Sequence, residues 1–123
     1  MSTLKVTNIQ ATGETVSRAV SGVAAAWCNL NFSTASIADS NNISSITDNA
    51  TGRFTASFTN SMANSVYVSS GSGRFNLTDA DVSNRGVNHQ PASGSVSIVS
   101  FICSTGALND DQGVDSKFHG DLA

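Results

Sequence analysis

Two histidines, two cysteines and a scatter of aspartates are the side chains with the most chemistry to offer in this chain of 123 residues. His89 and His119 fall in loop-like stretches, and no Gly-x-Ser-x-Gly elbow accompanies either. A histidine beside a serine and an aspartate makes a nucleophile, but a chain this rich in serine offers such a match everywhere, so the match carries no information. Cys28 and Cys103 have neither a CxxC partner nor a nearby histidine to complete a zinc site. Asp79 and Asp81 form one acidic pair, and Asp110, Asp111 and Asp115 a second cluster, whose spacing does not match an EF-hand loop. Solvated loops are the expectation for both. No glycine loop ending in Lys-Ser/Thr is present to cradle a phosphate. The chain is therefore expected not to be an enzyme and to carry no cofactor and no catalytic or metal-binding residue. Trp27 and Tyr67 are the aromatic residues with a polar handle. Exposed, they would make platforms for a sugar; packing in the core or at a subunit interface is the favoured reading for Trp27.

Composition bounds the setting for these residues. Ser, Thr and Asn make up roughly a third of the chain, far above ordinary usage. Their side chains compete for backbone hydrogen bonds and so disfavour helices, while suiting turns and exposed strand faces. Charged residues are 12% and apolar residues 39%, which is not the signature of disorder. The net charge is −3, and the six basic residues are scattered, so no concentrated basic surface for nucleic acid is expected. The apolar runs at residues 23–28 and 98–103 are too short to span a membrane. The opening residues lack the regions of a signal peptide, which places the product in a cytosol as an expectation. Asn31, Asn42, Asn49 and Asn76 each head an N-x-Ser/Thr triplet, an accident of composition to which no role is assigned.

The elements that must position these residues read as strands. Residues 43–59 form a complete hairpin signal: Ile43 and Ile46, then Asp48, Asn49 and Gly52 as turn residues, then Phe54, Ala56 and Phe58 alternating with Arg53, Thr55, Ser57 and Thr59. Residues 23–32 read as a strand with Val23, Ala25 and Trp27 on one face and Cys28, Leu30 and Phe32 on the other. A short strand is expected around Ile37, another at 66–69, a turn at Gly71–Gly73, and a further short strand at 74–77. Residues 78–94 read as a long loop with a helical turn near 79–83 capped by Thr78. Residues 95–104 are apolar on both faces, which predicts a central strand or one covered by another chain. Val114 and Phe118 could anchor one last short strand. About eight strands at short spacing predict an all-β chain: a single small β-sandwich or jelly-roll-like domain.

Residues 1–22 read differently. Leu4, Val6, Ile9, Val16 and Val20 are apolar, but the phase slips after Val6 and Gly13 interrupts the segment. The segment is either a first hairpin or an extended N-terminal arm lying on a neighbouring subunit, with the β-sandwich domain occupying residues 23–123. Leu4, Val6, Ile9, Val16, Val20, Trp27 and Phe101 are the candidate subunit-interface residues.

Several of these stretches resemble small β-domains in the virions of tailed phages. Residues 26–32, AWCNLNF, resemble their Ala-Trp-Val-x-Phe-like strand. Residues 43–49, ISSITDN, are close to their Val-Ser-Ser-Ile-Thr-Asp-Asn segment, and Gly52-Arg-Phe-Thr55 is similar to their Gly-x-Tyr-Thr step. The opening MSTLKVTNIQ resembles the start of fibre-like proteins from phages of cyanobacteria and other marine bacteria. The similarity spans about residues 1–70. Cys28, Leu30 and Ala50 depart from the pattern, and the family supplies no catalytic residue. The resemblance implies a virion structural protein, a homotrimer at the particle surface, assembled in the host cytoplasm. Two places on the particle remain open. A capsid decoration, or cement, protein needs a compact head and a clamping arm, and its partner is the major capsid protein. A short tail fibre or adaptor would contact tail proteins and a host-surface glycan. Neither nucleic acid nor a membrane is an expected partner.

Overall fold

In the computed structural model of the protein, the longest alternating runs, at 43–59 and 95–104, become strands. The structure describes residues 2–10, 12–13, 15, 18–19, 23–76 and 84–123. Among them the strands are β1 (Asn8–Ile9), β2 (Arg18–Ala19), β3 (Ala26–Asn31), β4 (Ser36–Asn41), β5 (Ile43–Ala50), β6 (Arg53–Phe58), β7 (Val68–Arg74), β8 (Arg85–Pro91), β9 (Ser95–Ile102) and β10 (Gly113–His119). One antiparallel sheet has the order β4-β3-β10-β7 and a second the order β5-β6-β9-β8. The two pack face to face as a β-sandwich, the architecture that the short, evenly spaced strand signals predict.

The inward faces follow from period-two patterning. Ala26, Cys28 and Leu30 of β3 meet Val114 and Phe118 of β10 on one side of the core, and Phe54, Ala56, Phe58, Val96 and Ile98 of β6 and β9 supply the other. Phe32 and Phe54 stack across the two sheets with ring centroids 4.0 Å apart. Phe58 meets Phe118 edge-on at 5.7 Å. Such ring pairs add to the free energy of burying their area. The chain changes sheets at Asn42, whose φ of 59° is a conformation asparagine tolerates better than most residues. Its amide is held against Asn60: Asn60 N–H donates to Asn42 Oδ1 at 2.7 Å, and Asn42 Nδ2 donates to Asn60 O at 3.0 Å.

The hairpin of β5 and β6 forms as the sequence predicts, with Phe54, Ala56 and Phe58 buried. Its turn is tighter than expected, because Asp48 and Asn49 lie within β5 and the register shifts between Asp48 and Ala50. Gly52 carries the turn at φ 65°, and a Cβ there would stand 2.7 Å from both Asn109 N and Ser100 O. Strand β9 is central, between β6 and β8; Val96 and Ile98 face the core, and Val99 and Phe101 stand half-buried on the outer face. Phe101, on its outer side, is half-buried over Gly86 of β8, where any Cβ would collide with its ring.

Four local expectations are corrected. The short strand expected at 74–77 does not begin at Arg74, where β7 instead ends, and residues 75 and 76 are not strand. Gly71 and Gly73 are not a turn but the middle of β7. A Cβ at Gly71 would stand 2.6 Å from Asp115 O, so glycine there permits close strand approach. Residues 85–91, expected in a long loop, are the edge strand β8, whose Pro91 is tolerated at its end. The last short strand is a seven-residue central strand, β10, paired with both β3 and β7. The expected helical turn at 79–83 and its cap Thr78 lie outside the described residues.

Ahead of the sandwich, Asn8 pairs with Ala19 and Ile9 with Arg18 in a separate two-stranded ladder. Residues 2–10 are exposed throughout. Val16 and Val20 lie outside the described residues.

Candidate functional site

Residues of β3, β10 and β7 that do not enter the core stand together on one outer face. Lys117 lies opposite Trp27 on one side and Ser70 on the other. One pleat along, Asp115 lies between Asn29 and Ser72. Asn41 and Asp39 on β4 continue the two rows. Trp27 is 37% exposed, an aromatic plate in a polar surround. An open depression of about 520 Å³ covers the middle of this face, with its floor at Cys28, Gly71 and Ser116. Arg74 Nη2 lies 3.4 Å from Asp115 Oδ2 and partly offsets its charge.

The other side of β10 is interior. Ser116 is buried, and its Oγ is 2.8 Å from Nε2 of His89. The His89 ring meets Phe118 edge-on at 5.4 Å. Burial lowers the His89 pKa from its ordinary value, because a charged ring there loses hydration. A Ser–His pair thus exists, but both partners point between the sheets, so the serine is not presented to a substrate. His119 lies on the outer-face register of β10, opposite Val68, and the fold does not bring the two histidines together in one site.

Asp111 is the most committed polar residue. It is fully buried and accepts from Ser100 Oγ at 2.5 Å and Asn109 Nδ2 at 2.6 Å, with Arg85 Nε 3.5 Å away. Its backbone carbonyl accepts Phe32 N–H at 2.9 Å. Asp110 accepts Gly52 N–H at 2.6 Å. The acidic cluster at 110–115, expected as a solvated loop, is therefore largely a structural network that fastens the hairpin turn to the segment entering β10. Among the described residues no group of three or more His, Cys, Asp and Glu is arranged to hold a metal ion.

The remaining residues singled out from sequence take separate places. Tyr67 is half-buried, and its hydroxyl faces Ala92 O and Ser95 O at 3.2 and 3.3 Å, so its polar handle is turned into the fold. Desolvation raises the Tyr67 pKa from its ordinary value. Cys28 and Cys103 are both free, one buried and one exposed. Burial, with the charge of Asp115 adding to it, pushes the Cys28 thiol up to about 12. Leu4, Val6 and Ile9 are exposed on the arm, at 85%, 44% and 45%. Sequence reasoning missed Asn29, Asp115 and Lys117 as neighbours of Trp27. Their alternation with core residues was readable, but the β3–β10–β7 order that gathers them was not. No family model, curated protein or solved structure matches the chain.

Proposed function

We propose that this protein is a structural module of the tailed-phage virion surface, a homotrimer that stabilises the particle as a capsid decoration protein. One structural observation carries the assembly part of this reading: an N-terminal segment with Leu4, Val6 and Ile9 exposed to solvent precedes a sandwich with a core of its own. Apolar side chains held in water are an unfavourable arrangement that a neighbouring subunit relieves. Burying Leu4 contributes about 1.5–3 kcal/mol and Val6 and Ile9, which are less than half exposed, roughly half as much each, less the cost of ordering the arm. The resemblance of residues 1–70 to phage β-domains supplies the particle. The mechanism is mechanical: arms buried between neighbours add contact area across capsomer junctions, with no chemical step. Trp27, Phe101 and the arm were the expected contacts; the arm is the element best suited to them, since Phe101 already covers Gly86 of its own chain.

Sedimentation equilibrium of the purified chain tests the assembly. A trimer is expected, and Leu4→Ser, Val6→Ser and Ile9→Ser combined convert it to a monomer whose sandwich still melts cooperatively, because its core does not include these residues. A wild-type chain that stays monomeric at its highest soluble concentration overturns this reading.

A further inference from the structure

We propose that the outer face of the β4-β3-β10-β7 sheet is a binding site for a neutral oligosaccharide, with Trp27 as its stacking plate. The proposal does not rest on the trimer or on the virion setting. The face combines one exposed indole with hydroxyl, amide and carboxylate groups at fixed strand register: Lys117 and Ser70 beside Trp27, and Asn29, Asp115 and Ser72 one pleat away. Neighbouring strands are about 4.8 Å apart and successive outward residues about 7 Å, so donors and acceptors surround the ring on a rigid sheet. A sugar ring presents an apolar C–H face to an aromatic plate and hydroxyls of both hydrogen-bonding senses around its rim. Asn29 can donate and accept, Asp115 accepts, and Lys117 donates.

The charges choose the ligand class. Lys117 and Arg74 balance Asp115 and Asp39 on this face, and Arg74 already lies 3.4 Å from Asp115. The balance favours a neutral ligand over an anionic one. Serine, lysine and aspartate are depleted at the centres of protein–protein interfaces, and here they make up most of the surround of Trp27. The open depression of about 520 Å³ is within the range of small-ligand sites.

Trp27 is the single tryptophan of the chain, so its fluorescence reports on this face alone. The test is an array of neutral and sialylated oligosaccharides probed with the wild-type chain, followed by Trp27 emission titrations with the neutral oligosaccharides it retains. The expected result is retention of neutral members, a saturable change in Trp27 emission, and affinity weakened about tenfold or more by Trp27→Ala or Asp115→Ala. The variants are first checked by thermal melting, and Ser72→Ala serves as a mild second probe if either fails to fold. No array member retained above the Trp27→Ala background, or retention confined to sialylated members, overturns the proposal. So does a Trp27→Ala chain that changes oligomeric state with no change in sugar binding, which makes the face a subunit contact.

Discussion

Replacing Asp111 with alanine is expected to be the most damaging single polar substitution in the sandwich. The carboxylate is fully buried and serves Ser100, Asn109 and Arg85 together. Its removal leaves the Ser100 hydroxyl buried without an acceptor and the Arg85 guanidinium, only 12% exposed, without its counter-charge. The ring of Phe75, 4.9 Å from Arg85 Cζ, attracts the cation but does not replace an anion. Breaking a buried ion pair from one side costs about 3–5 kcal/mol. With an unfolding entropy of about 2.1 cal/mol/K per residue, 4 kcal/mol corresponds to a loss of about 15 °C in Tm for a chain this long. Calorimetry of Asp111→Ala measures it. The cycle Asp111→Ala, Arg85→Met and the double variant separates the charge from the packing: the double variant is expected to melt higher than Asp111→Ala alone, because the stranded cation is gone. Melting of Asp111→Ala within about 3 °C of wild type on that same entropy scale, or a double variant no better than the sum of the singles, refutes the reasoning.

Three further outcomes follow from the structure. Gly52→Ala is expected to cost about 2 kcal/mol or more, from the positive φ and from backbone atoms 2.7 Å from its Cβ; an unchanged denaturation midpoint contradicts this. Because the folded state holds His89 below its ordinary pKa of 6.5, the unfolded chain binds more protons just beneath that value, so stability is full above pH 6.5 and declines as pH falls below it. His89→Gln keeps a partner for Ser116 and removes this contribution, and urea titrations between pH 7 and 5 should show a flatter profile for the variant. Finally, a thiol reagent such as DTNB should label Cys103 at once and Cys28 only on unfolding, since one is exposed and the other is buried with a raised pKa; two fast equivalents in the native state contradict the buried placement.

Much of the fold was legible because period-two patterning is a local signal. Phe54, Ala56 and Phe58 mark the buried face of β6, and Val96 and Ile98 that of β9, with no knowledge of the partner strands. Glycine was the less legible residue. Gly71 and Gly73 read as a turn because glycine admits positive φ, whereas Gly71 is crowded by β10 and His89 and Gly73 by Asp111, Arg85 and Val87, contacts only the tertiary structure creates. Asp111 was equally hidden: a local acidic cluster looks solvated until Ser100 and Arg85 arrive from distant strands. The outer-face site was half-legible. Trp27 stood out as a possible sugar platform, but the strand order β3-β10-β7 joins it to residues some 90 positions away, and spacing along the chain cannot show that. Tyr67 stood out equally, and its inward-turned hydroxyl has no signature in the sequence.

The proposed placement on a virion surface is tested most directly by the copy number of this chain in purified virus particles from the source that carries its gene. Quantitative mass spectrometry against the major capsid protein is expected to give many copies per particle, in fixed proportion to capsomers, with head-only particles retaining them. A few copies that remain with isolated tails would assign the module to a fibre or adaptor. Complete absence from purified particles contradicts the account.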